Sequence, residues 1–199
     1  MKRFNFILFD GFETLDAFGP AEVIGELQEL YCLSYHSMNG GMVKSSQQIP
    51  VGTLPFAGID PNGGVLLVPG GSGTRALVDD AGYIERLRAL AEQAEYVLTV
   101  CTGSALLAKT NLLDGRKATT NKRAFGWASS NGKDVNWVKK ARWVKDGKFY
   151  TASGVSAGID MTLGFVSDMH GAEKAMAIAE GIEYVWNPDM GNDPFAVSG

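Results

Sequence analysis

Residues 96–113 read YVLTVCTGSALLAKTNLL. Tyr96–Val100 has the length and apolar continuity of a buried strand, and it stops at Cys101. Thr102, Gly103 and Ser104 form a small-residue turn, after which an alanine- and leucine-rich helix begins. A side chain at such a strand-to-helix corner is pushed into the open above a sheet. A helix starting there aims free N–H groups and its positive end at the sulfur, so the thiol pKa is expected to fall. The plainer alternative is a cysteine that is only a small buried apolar residue.

Outward from this corner, strand and helix patterns alternate. FNFILF (Phe4–Phe9), YCLSYHSM, GGVLLVPGG and RKATT read as strands, the first and third continuous in apolar character. PAEVIGELQEL reads as a helix with Pro20 in its first position, where a missing N–H costs nothing. DAGYIERLRALAEQA carries Ile84, Leu87, Leu90 and Ala91 at helical spacing. ARWVKDGKFYTAS reads as a hairpin turning at Asp146-Gly147. SAGIDMTLGFVSDMH and AEKAMAIAEGIEYV read as the closing helices, the former capped by Ser153 or Ser156. Such alternation predicts an α/β sandwich on a mostly parallel sheet. One domain over residues 1–199 is expected, with an irregular tail from about residue 186.

The 199 residues suffice for one substantial core; 45% are hydrophobic, 20% charged, and the net charge is −4. No basic stripe marks a nucleic-acid partner, and KKARWVK (Lys139–Lys145) reads as an exposed strand. With only Cys32 and Cys101, a reducing compartment and free thiols are expected. The N-terminal apolar run is too short for a signal peptide, and nothing approaches the ~20 apolar residues of a membrane span. A soluble cytoplasmic protein is therefore expected.

In open α/β sheets, sites lie beyond the carboxyl ends of the strands. Cys101, the Pro69-Gly70-Gly71 loop and the DGFETLDAFGP loop meet that criterion. Thr102 offers a backbone N–H and a hydroxyl, and Gly70 and Gly71 can let backbone amides crowd a substrate. Asp10, Glu13 and Asp16 compete as the acidic partner. Cys32 reads as core. His36 reads as an edge or surface residue and His170 as a helix-end cation, so neither claims the thiol. GGSG lacks the dinucleotide spacing, and no P-loop or metal-ligand cluster appears, so neither cofactor nor metal is expected. Trp127, Trp137, Trp143 and Trp186 either line a pocket or pack.

The order LDAFGP, VPGGSG, VCTGSALLAKTNLLDGRKATT and ASGVSAGIDMTLGFV resembles the ThiJ/PfpI superfamily from about Phe4 to Tyr184. The resemblance implies a flavodoxin-like three-layer sandwich, a cysteine nucleophile at the corner and a homodimer. Within the superfamily it is nearest the isonitrile hydratase branch, which implies hydration of a small-molecule isonitrile to an N-substituted formamide. It selects Asp16 as the acid–base partner of Cys101. Peptidase-like branches carry a histidine where Thr102 stands, and deglycase-like branches a glutamate as the acid. Asn121-Lys122 stands where the hydratase pattern has a histidine. Glyoxalase, deglycase or amidase chemistry, and a non-catalytic thiol sensor or ligand-binding protein, are the alternatives.

Overall fold

The computed structural model describes residues 1–60 and 64–196. Gly63, where the GGVLLVPGG strand pattern starts, and tail residues 197–199 lie outside the described residues. The chain builds an α/β sandwich in three layers. Its sheet comprises β1 (Lys2–Ile7), β2 (Tyr31–Ser37), β3 (Asn39–Lys44), β4 (Pro50–Pro55), β5 (Val65–Val68), β6 (Tyr96–Val100), β9 (Trp143–Asp146) and β10 (Phe149–Ala152). The spatial order is β3-β4-β2-β1-β5-β6-β10-β9, with only the edge strands β3 and β9 antiparallel to their neighbours. Two short strands, β7 (Lys117–Ala118) and β8 (Asn136–Trp137), pair separately.

Packing explains the continuous apolar strands. α1 (Thr14–Gly25), α6 (Ala157–His170) and α7 (Ala172–Gly181) cluster together. So do α2 (Thr74–Leu77), α3 (Ala81–Gln93), α4 (Gly103–Lys109) and α5 (Phe125–Ser129). Every residue of β5 and β10 is buried between these layers. α3 starts where expected, with Asp80 Oδ1 accepting the Tyr83 N–H at 3.0 Å.

Several expectations need correction. α1 begins at Thr14, six residues before Pro20, and ends at Gly25 rather than Leu30. Burial of Ala17, Ala21, Val23 and Ile24 overrides the usual placement of proline in a first turn. Pro20 therefore sits inside the helix and removes the hydrogen bond to the carbonyl of Asp16. Asp16 consequently lies in a first helical turn, not a loop. The β3–β4 hairpin was not anticipated: NGGMVK and PVGTLP are rich in glycine and proline, which hide a strand pattern. In the β9–β10 hairpin Asp146 pairs with Phe149, so the turn is Gly147-Lys148, one residue later than read. The Lys139–Lys145 stretch is not exposed throughout. Arg142, Trp143 and Val144 are buried, because the chain near Met190 lies across them and its carbonyl accepts the Arg142 N–H at 2.8 Å.

That crossing is fastened by buried charges. Arg142 reaches Asp160 Oδ2 at 2.8 Å and Asp193 Oδ1 at 3.5 Å; Lys122 lies 3.8 Å from Asp193 Oδ2, which also accepts the Ser153 hydroxyl. Ser153 and Ser156 are thus occupied with Asp193 and Arg142, and neither side chain caps α6. His36 is buried in the sheet interior between Pro55 O and Ser34 Oγ rather than at a surface. His170 ends α6 as read, but it faces Tyr31 Oη at 2.8 Å, and burial and nearby lysines lower its pKa, which disfavours a capping cation. Cys32 is half-buried.

Candidate active site

The parallel strands deliver their carboxyl ends to one rim, where Cys101 after β6, Gly70 and Gly71 after β5, and Asp16 in α1 converge. Cys101 has φ +56°, a conformation in which L residues are strained. Its backbone is held on both sides: the N–H donates to Ala152 O at 3.2 Å, while its carbonyl accepts the hydroxyls of Ser104 at 3.0 Å and Thr120 at 2.9 Å. The corner is thus a constrained turn, and the residue is 7% exposed.

Asp16 is fully buried. Its Oδ2 accepts the Gly70 N–H at 2.8 Å, and its Oδ1 has no hydrogen-bond partner among the described residues. The carboxyl group's other polar neighbour is the Cys101 thiol. Burial raises the Asp16 pKa to about 8, the negative charge of Glu13 adding to it and the Gly70 N–H opposing it.

The thiol departs from expectation. Burial, then the nearby Asp16 carboxylate, pushes Cys101 up to about 12. The Thr102 amide, the Thr102 hydroxyl and the Asn121 side chain pull the other way without prevailing. α4 has only seven residues, and desolvation of the sulfur outweighs what its first turn supplies. Burial thus pushes both groups of the pair toward their protonated forms.

Thr102 Oγ1 accepts the Gly71 N–H at 3.1 Å and lies 3.1 Å from the Thr74 hydroxyl. The Gly70 and Gly71 amides are thus engaged by Asp16 and Thr102 rather than turned toward a ligand. Gly70 has a steric reason to be glycine: a Cβ there would lie 2.5 Å from Thr102 N and 2.9 Å from Cys101 Cβ. Asn121 joins the site although its residue type gave no signal beyond its place after the RKATT strand. Its Oδ1 accepts the Ala124 N–H at 3.0 Å, which leaves its amide NH₂ to face the sulfur.

Beside Asn121 opens a cavity of about 400 Å³, walled by Gly154, Val155, Ser156 and Phe195 and rimmed by Lys122 and Arg123. Val155 has φ +31°, rare for a β-branched residue. A second cavity of about 590 Å³ is lined by Trp143, Trp186 and Tyr184 against α6 and α7, and it contains none of the site residues. Trp127 lies under the Arg75 guanidinium, and Trp137 donates to Gly132 O. Neither histidine reaches the site. Among the described residues no group of three potential metal ligands occurs, and no helix is long and apolar enough to cross a membrane.

A constrained strand-to-helix thiol beside a buried acid on a flavodoxin-like sheet defines a class of protein. The DJ-1/PfpI family pattern matches residues 2–168, and the chain belongs to that family. It is 31% identical over 202 residues to the isonitrile hydratase of Pseudomonas putida, a match covering 98% of this chain and 85% of that protein. It is 30% identical to the HTH-type transcriptional regulator GbdR of Pseudomonas aeruginosa (strain UCBPP-PA14), over 90% of this chain but 50% of the regulator. A ThiJ/PfpI family protein from Pseudomonas syringae superposes with a TM-score of 0.85 at 26% identity, covering 100% of this chain and 79% of that one.

Proposed function

We propose that the protein is an enzyme that hydrates isonitriles to N-substituted formamides, with Cys101 as nucleophile and Asp16 as general acid–base. The observation that carries this reading is the Asp16 carboxyl: fully buried, anchored through Oδ2 to the Gly70 N–H, with an Oδ1 that has no partner among the described residues, and neighbour to the Cys101 thiol. An isonitrile R–N≡C offers a terminal carbon that must gain both a nucleophile and a proton. Asp16 gives its proton to that carbon while sulfur adds, and it takes up the thiol proton, leaving the thioimidate R–N=CH–S–Cys101. Asp16 then protonates the imine nitrogen. The resulting carboxylate takes a proton from water as the oxygen adds to carbon. Collapse of the adduct breaks the C–S bond, returns the hydroxyl proton to sulfur and releases R–NH–CHO. One water is consumed and the pair recovers both protons. Asn121 and Thr102 orient the sulfur.

Intact-protein mass spectrometry with an aryl isonitrile tests this reading. An increase equal to the isonitrile mass on Cys101, followed by formamide release, is expected. Turnover of methylglyoxal or a simple amide with no reaction of the isonitrile would instead favour the carbonyl chemistry of other branches. A ligand-binding reading is favoured by the relationship to GbdR; recovery of every compound unchanged, with a saturable shift in melting temperature, would select it. A thiol sensor fits less well, because a raised pKa and burial both slow thiol oxidation.

A further inference from the structure

Arg75 lies one residue after Thr74, whose hydroxyl approaches the Thr102 hydroxyl beside Cys101. Its guanidinium carbon sits 3.3 Å from the centroid of the Trp127 ring, a face-on stack that fixes the plane of the group. Stacking uses the face of a guanidinium and leaves its edge donors free. Among the described residues no carboxylate pairs with Arg75 and no acceptor takes its N–H groups. The arginine is in electrostatic range of Cys101, yet the thiol's ionisation is set by burial, Asp16, Thr102 and Asn121. Of the other charged groups near the rim, Arg123 borders the cavity beside Asn121, and two are already committed. Glu13 accepts Gln47 Nε2, and Lys122 is held by Asp193, Thr119 and Ala141.

We propose that Arg75 is a specificity-determining residue: its preoriented, unpaired fork binds a carboxylate carried by the substrate. This rests on the hydratase reading and names the substrate class within it, an isonitrile bearing an anionic substituent. The arginine does no chemistry; it selects and places the substrate while Cys101 and Asp16 react. A neutral isonitrile should still turn over, with a higher KM.

The test compares 4-isocyanobenzoate with phenyl isocyanide in the wild type, Arg75→Gln and Arg75→Lys. Arg75→Gln should raise KM for the benzoate about 10- to 100-fold, the range of one charge-assisted hydrogen bond or bidentate pair, and change the phenyl compound little. Arg75→Lys should recover part of the discrimination, because it restores charge without the fork. The same ligands are titrated calorimetrically into Cys101→Ala and Cys101→Ala/Arg75→Gln, where neither can react. Equal benzoate affinity in these two proteins would overturn the role of Arg75 even if hydration proceeds. Discrimination retained in the titration without turnover in the wild type would overturn hydration and leave the anion site standing.

Discussion

Gly70→Ala should damage catalysis far more than folding. Gly70 is outside the left-handed region, so alanine meets no backbone penalty there. The obstacle is space: the new Cβ would stand 2.5 Å from Thr102 N, 2.7 Å from Thr102 Oγ1 and 2.9 Å from Cys101 Cβ. Ordinary contact begins near 3.4 Å, so the β5 loop and the Cys101 turn must separate by about 0.9 Å. Two of the three obstructing atoms are fixed close to the backbone, so no side-chain rotation relieves them. The same opening draws the Gly70 N–H away from Asp16 Oδ2, loosening the acid's anchor. Overpacking of this kind costs roughly 1–3 kcal/mol. At about 2–4 °C per kcal/mol for a chain of this size, Tm should fall by roughly 2–12 °C. A misplacement near 1 Å between reacting groups costs about 100-fold in rate. The assay pairs differential scanning calorimetry with steady-state formamide production from an aryl isonitrile. A folded Gly70→Ala protein whose kcat stays within about twofold of wild type would refute the argument that the Cys101–Asp16 geometry sets the rate.

Cys101→Ala should abolish turnover and the mass increase alike, leaving binding measurable. Asp16→Asn should lower kcat by about 100-fold or more, the usual loss for a general acid, in the same formamide assay. It should also stabilise the fold toward alkaline pH. The Asp16 pKa is raised in the native state from 3.8 to about 8, so only the unfolded chain releases this proton between those values. The group's contribution is therefore most favourable below pH 4 and is progressively lost up to pH 8. The Tm difference between variant and wild type should widen across that window, and a pH-independent difference would count against the buried neutral acid. kcat/KM should decline above about pH 8 as Asp16 loses the proton it donates, read from a pH–rate profile. Asp193→Ala should cost about 3–5 kcal/mol in urea unfolding, because it strips a buried carboxylate from Arg142 and Lys122.

Much of this architecture is visible in local residue pattern. The strand read at Phe4–Phe9 runs from Lys2 to Ile7, and it and Tyr96–Val100 are mostly apolar where buried because helices cover both their faces. The Cys101 corner is legible for the same reason: an apolar run ends and small residues follow. The Asn39–Lys44 and Pro50–Pro55 strands form the outer hairpin of the sheet and carry glycines and terminal prolines, so pairing rather than propensity creates them. α1 shows the limit of a positional rule. Pro20 marks a plausible start, but core burial of Ala17 carries the helix back to Thr14. The thiol's protonation was misread because desolvation depends on what surrounds the sulfur in space, whereas a helix start can be read along the chain. The Arg142–Asp160–Asp193 cluster and the Arg75–Trp127 stack join distant segments and leave no periodic trace.

These corrections converge on one rim of the sheet. Pro20 strips the helical hydrogen bond from the Asp16 carbonyl, and the same residue buries a carboxyl with one oxygen unpartnered. Cys101 and Val155 hold strained backbones within that rim. Each feature opposes folding, and a sequence selected for stability alone would dispense with them. Their coincidence marks a site rather than packing, since the buried core beneath the sheet's rim is mostly apolar. A neutral acid and a neutral thiol confined together have a specific use. Neither is ready to ionise alone, but each can exchange its proton through the other once an electrophilic carbon arrives between them. On the proposed hydratase reading, the low polarity that raises both pKa values keeps the pair at rest until a substrate completes the path.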